Sequence, residues 1–66
     1  MAFTRHAKNK LRRYGLTQAD IETLMADPTE RGARSTGTPT AVGTIAGTRY
    51  RVIFVLEDGL TTVITI

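Results

Sequence analysis

The chain contains no cysteine and only one histidine among its 66 residues. The lack of cysteine excludes disulfides and thiolate metal sites, and a single histidine cannot build a zinc site. No apolar run approaches the roughly 20 residues that a membrane-spanning helix needs, and the basic N-terminus lacks the apolar core of a signal peptide. These absences predict a cytoplasmic protein with no membrane contact, no metal site and no cofactor.

The composition is that of a small globular domain, with 41% apolar and 23% charged residues. A chain of this length buries only about 60% of the surface that its unfolded form exposes, which predicts one domain with a small core over residues 1–66. The net charge is +3, but residues 1–14 carry five cations and no acid, whereas residues 20–30 carry four acids and no base. Such blocks suit a nucleic-acid contact surface with an acidic patch elsewhere, or a solvated face that keeps the domain soluble.

Two helices are predicted in the first half of the chain. The first has apolar residues at three- and four-residue steps, namely Phe3, Ala7, Leu11 and Tyr14. Thr4 can cap its start and Gly15 can end it. Because Tyr14 ends the apolar stripe, we expect its ring to be buried.

The second helix is marked by Thr17 and Asp20, which have the spacing of a capping box. Ile21 and Leu24 are then expected to face the core. The helix should stop at Asp27-Pro28, because the residue before a proline is restrained from helical geometry.

The second half of the chain changes to the two-residue period of strands. A short edge strand is expected near residues 31–36, followed by strands over 40–45, 49–56 and 60–66. The third of these is apolar on both faces from Val52 onward, so it should lie centrally. Its alternation separates Arg49 and Arg51 from Val52, and Asp58-Gly59 is a strong signal for a two-residue hairpin.

Together these elements predict an α+β domain in which two N-terminal helices pack on an antiparallel meander of three or four strands. In the last strand, simple alternation places four residues on one face, namely Leu60, Thr62, Ile64 and Ile66. An unpaired edge strand could also pair between two chains and form a homodimer.

The run Gly47-Thr-Arg-Tyr-Arg-Val-Ile-Phe-Val-Leu-Glu-Asp-Gly resembles the central hairpin of RelE/ParE-type bacterial toxins. The opening Phe3-Thr-Arg-His-Ala, followed by Gly15-Leu-Thr, is similar to a group of small toxin-like proteins placed near the BrnT toxins. The resemblance implies a RelE/BrnT-like fold and a ribonuclease of a type II toxin–antitoxin pair. It also implies that RNA, in many cases on the ribosome, and an antitoxin protein are the partners.

Carried over by position, Arg51 matches the strand arginine that stabilises the cleaved phosphate in RelE-like toxins, and Arg49 lies near it. His6 matches the histidine of the Thr-Arg-His-Ala helix. The chain departs from the RelE pattern after this strand, because it has no C-terminal segment with a catalytic Tyr, His or Arg before Ile66.

Metal-independent RNA cleavage needs a proton carrier and positive charge at the phosphate. Histidine titrates near neutral pH and suits the first task, and arginine can bind two phosphate oxygens at once. We therefore hypothesise a catalytic group of His6, Arg49 and Arg51 that converges on one phosphate. If His6 lies across the sheet from the arginines, this hypothesis fails.

Other cations are candidates for sequence-independent phosphate binding. They are Arg5, Lys8, Lys10, Arg12 and Arg13 in the first helix and Arg34 in the following loop. A second hypothesis therefore stands beside the nuclease: a non-catalytic module on a reduced toxin fold that binds RNA or a protein. A catalyst needs a titrating group beside the arginines, whereas a binder needs only charge.

Overall fold

The computed structural model describes residues 1–66 and contains two helices and five strands. The helices are α1 (Arg5–Tyr14) and α2 (Gln18–Ala26). The strands are β1 (Ala2–Phe3), β2 (Glu30–Ala33), β3 (Pro39–Ile45), β4 (Thr48–Glu57) and β5 (Leu60–Thr65). They form one sheet in the order β1-β5-β4-β3-β2, so β4 is the central strand as predicted. The predicted α+β class is confirmed.

Both helices begin and end close to the predicted positions, because side chains satisfy free backbone groups at their starts and backbone amides do so at their ends. The Thr4 hydroxyl accepts from the amide of Ala7 at 3.1 Å, and Gly15 ends α1 with a left-handed φ of 69°. At the start of α2, the Asp20 amide donates to the Thr17 hydroxyl at 3.1 Å. The Asp20 carboxylate accepts from the Thr17 amide at 2.9 Å, which completes the predicted capping box.

The sheet is mixed, so the prediction of an antiparallel meander of three or four strands is wrong at its edge. Phe3, which periodicity placed on the first helix, lies in β1 and pairs in parallel with Val63 of β5. Thr4 holds this arrangement, because its amide donates to the carbonyl of Val63 at 3.0 Å and its hydroxyl to the carbonyl of Ile64 at 2.7 Å. This strand was not predicted because a segment of two residues is too short to show the two-residue period of a strand. Its pairing with β5 depends on backbone contacts with a distant part of the chain.

The predicted alternation of the last strand is interrupted. The β4–β5 register shifts between Ile53 and Phe54: Ile53 lies opposite Thr65 and Phe54 opposite Val63. A bulge of this kind inserts one extra residue and changes which side chains face the core. Val63 is fully buried, while Thr62 lies opposite Val55 on the other face. Residues 60, 62, 64 and 66 therefore do not share one face.

The two tight hairpins of the sheet both use left-handed backbone. Ala46 and Gly47 join β3 to β4 with φ values of 50° and 84°, and Asp58 and Gly59 join β4 to β5 with 51° and 77°. Two successive residues with positive φ are the signature of the turn that matches strand twist in two-residue hairpins. The edge strand predicted near 31–36 is displaced toward the N-terminus and occupies Glu30–Ala33.

The core lies between the helices and one face of the sheet. Its members are Phe3, Ala7, Leu11, Ile21, Leu24, Ala41, Val52 and Val63. Ala41 and Val52 are cross-strand partners, so they mark the covered face of β3 and β4. α2 approaches β3 closely at Gly43, where an added Cβ would lie 2.6 Å from Cγ of Leu24. The opposite face, which we call the open face, is covered by no helix.

Candidate nucleic-acid interface

Arg49 and Arg51 lie on the open face of the central strand. They alternate with Tyr50 and Val52, and Val52 is fully buried under the helices. Since successive side chains of a strand point to opposite faces, both arginines point away from the core. Both are exposed. The prediction that they share one face is confirmed.

Arg49 forms an ion pair across the sheet. Its guanidinium Nη2 donates to Oε2 of Glu30 on the edge strand β2, and the two side chains are 64% and 59% exposed. Glu30 and Arg51 both lie opposite Val42, one on each side of it. Of the nine lysines and arginines, Arg49 is the only one with a carboxylate within ion-pair distance.

Arg51 lines a groove of about 350 Å³ on the open face. The edge strand β2 contributes Glu30, Arg31 and Gly32. Arg34, which follows the end of this strand, also lines the groove. Thr40 and Val42 line it from β3 and are 8% and 5% exposed, although no helix covers this face. The groove therefore brings together Arg51 of β4 and Arg34 of the loop after β2, whereas Arg31 lies opposite Ala41 and alternation directs its side chain to the covered face.

Arg34 is held by the loop that follows β2. Its amide donates to the carbonyl of Thr38 at 2.9 Å, and its own carbonyl accepts from the amide of Gly37 at 2.7 Å. Gly37 adopts a φ of 89°, which a residue with a side chain rarely adopts. These bonds fix the backbone from which the Arg34 side chain reaches the groove.

His6 does not join the arginines. It lies in the first turn of α1 and is exposed, one residue before Ala7, which is buried against the sheet. α1 packs on the covered face, whereas Arg49 and Arg51 lie on the open face. The expectation that His6, Arg49 and Arg51 converge on one phosphate is therefore wrong. The strand period fixed the arginines' face, but only the packing of α1 decided which side His6 occupies.

The cations of α1 are on its surface. Arg5, Lys8, Arg12 and Arg13 are exposed, and none of them has an ion-pair partner. Arg5, Lys8 and Arg12 are spaced three and four residues apart, which places them on one strip of the helix. α1 contains no acidic residue, so the strip is positive along its whole length.

Tyr14 joins the end of this helix to the central strand. Its ring centroid lies 5.6 Å from that of Tyr50, with the ring planes inclined by 54°. Nζ of Lys10, one helical turn earlier, lies 5.7 Å from the Tyr14 centroid, within the range of cation–π attraction. Tyr14 is 41% exposed, so the expectation that it is buried is wrong. Its contact with Tyr50 was missed because the two residues are far apart in sequence.

The two ends of β4 have different neighbouring strands. β5 pairs with β4 from Glu57 back to Ile53, whereas Thr48–Val52 pair with β3 on the other side. Tyr50, Arg49 and Arg51 thus lie in the part of β4 that has one neighbouring strand. The other side of this part of β4 is an unpaired edge. Tyr14 and Tyr50 lie on the covered face beside this edge, and Arg49 and Arg51 lie on the open face beside it.

A second depression, also of about 350 Å³, lies between α2 and β3 and has the opposite charge, since Asp20 and Asp27 line it.

No three His, Asp or Glu side chains lie close enough together to hold a metal ion. Neither helix combines the length and hydropathy that crossing a membrane requires.

No family model, characterised protein or solved structure matches this chain.

Proposed function

We propose that this protein is a non-catalytic module that binds single-stranded RNA. The site we propose is a basic track that crosses the end of the central strand and consists of Lys10, Tyr14, Tyr50, Arg49 and Arg51. The observation that carries the proposal is the contact of Tyr14 with Tyr50, because it connects a helix rich in unpaired cations to the strand that carries two arginines.

Proteins that bind single strands without strong sequence preference combine positive charge along the backbone with aromatic rings on which bases stack. The track has both parts. The Tyr14 ring is 41% exposed, and Lys10 lies beside it. Arg51 has no carboxylate partner and can bind two phosphate oxygens. A strand that crosses from Tyr14 to Arg51 would therefore alternate a stacked base with a bound phosphate.

The cations outside the track act at longer range. Arg5, Lys8 and Arg12 form a separate strip of α1, and their unpaired charges add a field that attracts a polyanion. α2, which carries Asp20 and Glu22 and no base, repels it. The electrostatic asymmetry should thus orient an approaching RNA toward α1 and the end of β4.

A binding function agrees better with the geometry than the ribonuclease that the resemblance implies. General acid–base catalysis requires the proton carrier within hydrogen-bond reach of the reacting group. His6 lies in the first turn of α1, on the other side of the sheet from Arg51. Eight residues also separate it from Tyr14, a distance of about 12 Å along a helix. The antitoxin partner, the ribosome and the homodimer stay predictions of the sequence.

Fluorescence anisotropy with a labelled oligouridine of about ten nucleotides tests this function, since that length lies within the usual site size of such modules. We expect binding that weakens with salt, weaker binding to duplex RNA of equal length, and intact RNA after incubation. Arg51→Gln should weaken binding more than Lys8→Gln, which removes the same charge outside the track. Equal binding to duplex and single strand would contradict the proposal, as would cleavage of the oligouridine.

A further inference from the structure

The groove on the open face begins at Arg51, where the basic track ends. It continues over β3 to Arg34, and it contains one acid, Glu30. Two arginines that line it from the open face, Arg34 and Arg51, have no ion-pair partner. An unpaired cluster of this kind in a concave surface attracts an anion, because guanidinium groups from different strands can contact one anion from several sides.

We infer that this groove is a phosphate-binding site in which Arg34 and Arg51 hold the anion and the Glu30 carboxylate competes with it. The inference deepens and rests on the proposed function, in which the phosphate belongs to the RNA strand that leaves the track. Free phosphate has the same chemistry and would occupy the same site.

The pairing of the strands explains why Arg34 and Arg51 line the same groove. Glu30, Gly32 and Arg34 alternate along the edge strand and its continuation, and Val42 separates Glu30 from Arg51. β2 and β4 lie about 10 Å apart with β3 between them, and Arg34 lies four residues beyond Glu30, about 13 Å further along the strand direction. Two extended arginine side chains can span this diagonal and contact one phosphate between them. Gly32 adds no side chain above Thr40, which leaves the middle of the groove open.

Glu30 is placed to limit this site. Its carboxylate is bound to Arg49, so one of the two open-face arginines of β4 is already neutralised. A phosphate in the groove would also experience repulsion from Glu30. Replacing Glu30 with glutamine removes the repulsion and frees Arg49, while the side chain keeps its size.

Two pairs of variants test the groove in the intact protein. Glu30→Gln is matched by Glu22→Gln on α2, and Arg34→Gln is matched by Lys8→Gln on α1; each pair makes the same charge change at exposed positions. With oligouridine, Glu30→Gln should bind about two- to fivefold more tightly, the effect of releasing one exposed ion pair. Arg34→Gln should bind about tenfold more weakly and reduce the salt slope by about 0.7, the value for one phosphate contact on a single strand.

A second arm uses inorganic phosphate and follows the amide resonances of Gly32 and Arg34 by NMR. We expect saturable shifts in the wild type, lost in Arg34→Gln and obtained at lower phosphate concentration in Glu30→Gln. If oligouridine binds the wild type but both variants behave like their controls, the groove inference is overturned and the proposed function stands. If phosphate saturates the groove and no RNA binds, the groove is supported and the proposed function fails.

Discussion

The ring of Tyr14, at the last position of α1, lies 5.6 Å from the ring of Tyr50 in the central strand. This contact joins a helix with five cations and no acid to a strand whose next side chains on either side of Tyr50 are arginines. Tyr50 is half-buried and packs against the core, whereas Tyr14 remains 41% exposed. Tyr14 is therefore the ring of the pair that is free to stack on a base.

Tyr14→Ala should weaken the binding of oligouridine by about tenfold. Base–aromatic stacking contributes about 1–3 kcal/mol per base in single-strand binders, and about 1.4 kcal/mol corresponds to a factor of ten. Anisotropy titration at one salt concentration measures the change.

Tyr14→Phe is the matched control, because it keeps the ring and removes only the hydroxyl. It should bind oligouridine as the wild type does. The salt slope should be the same in all three proteins, since Tyr14 carries no charge. A reduced slope for Tyr14→Ala, or equal loss of affinity in both variants, would contradict a stacking role.

His6→Ala should change neither RNA binding nor RNA integrity. His6 is exposed on α1, which packs on the covered face, whereas Arg49 and Arg51 lie on the open face. The measurement is gel analysis of the oligouridine after long incubation, together with its affinity. Cleavage by the wild type that disappears in His6→Ala would restore the catalytic hypothesis and overturn the binding module.

Much of the fold follows from local patterns in the sequence. Thr4, Gly15 and the Thr17–Asp20 box mark helix ends by bonds within a few residues, and those predictions are confirmed. The errors arise where distant segments meet. Phe3 pairs with Val63, and the bulge in the β4–β5 register changes which residues of β5 are buried. Neither the Phe3–Val63 pairing nor the bulge can be predicted from the spacing of apolar residues along the chain.

Gly43→Ala should lower the free energy of unfolding by about 1–3 kcal/mol, the usual cost of overpacking. The added Cβ would lie 2.6 Å from Cγ of Leu24, a buried side chain of α2 that has little room to move. Thermal or urea unfolding followed by circular dichroism measures the loss.

Gly32→Ala is the matched control for this prediction. Gly32 also lies in a strand, but an added Cβ would meet only the Thr40 hydroxyl, at an ordinary distance of 3.5 Å. Its stability should therefore stay within about 0.5 kcal/mol of the wild type, as for most surface changes. Equal effects at Gly43 and Gly32 would show that α2 does not pack on β3 as described.

Ala46→Asn should raise the free energy of unfolding by about 0.5–1 kcal/mol. Ala46 has a φ of 50°, a left-handed conformation that strains alanine and that asparagine tolerates better. With Gly47, the substitution creates the Asn-Gly pair preferred in two-residue hairpins. Asp58→Ala, at a φ of 51° in the other hairpin, should lower stability by a similar amount. Urea unfolding measures both changes: the free energy of unfolding should rise in Ala46→Asn and fall in Asp58→Ala.

The candidate site was partly predictable for a related reason. The two-residue period of β4 places Arg49 and Arg51 on one face, and the structure agrees. The partner of Arg49, Glu30, is 19 positions away and belongs to a strand whose register follows from its pairing with β3. Arg34 and Arg51 likewise line one groove only because β2 folds back along β3. Such relationships depend on topology, which no local spacing contains.

An NMR titration of the labelled protein with oligouridine tests the basic track most directly. If RNA binds along the track, the largest shifts occur at Tyr14, Tyr50 and Arg51, with small changes over residues 18–26 of the acidic helix α2. Shifts centred on α2, or no shifts at any position at low salt, would contradict single-strand binding at the end of the central strand.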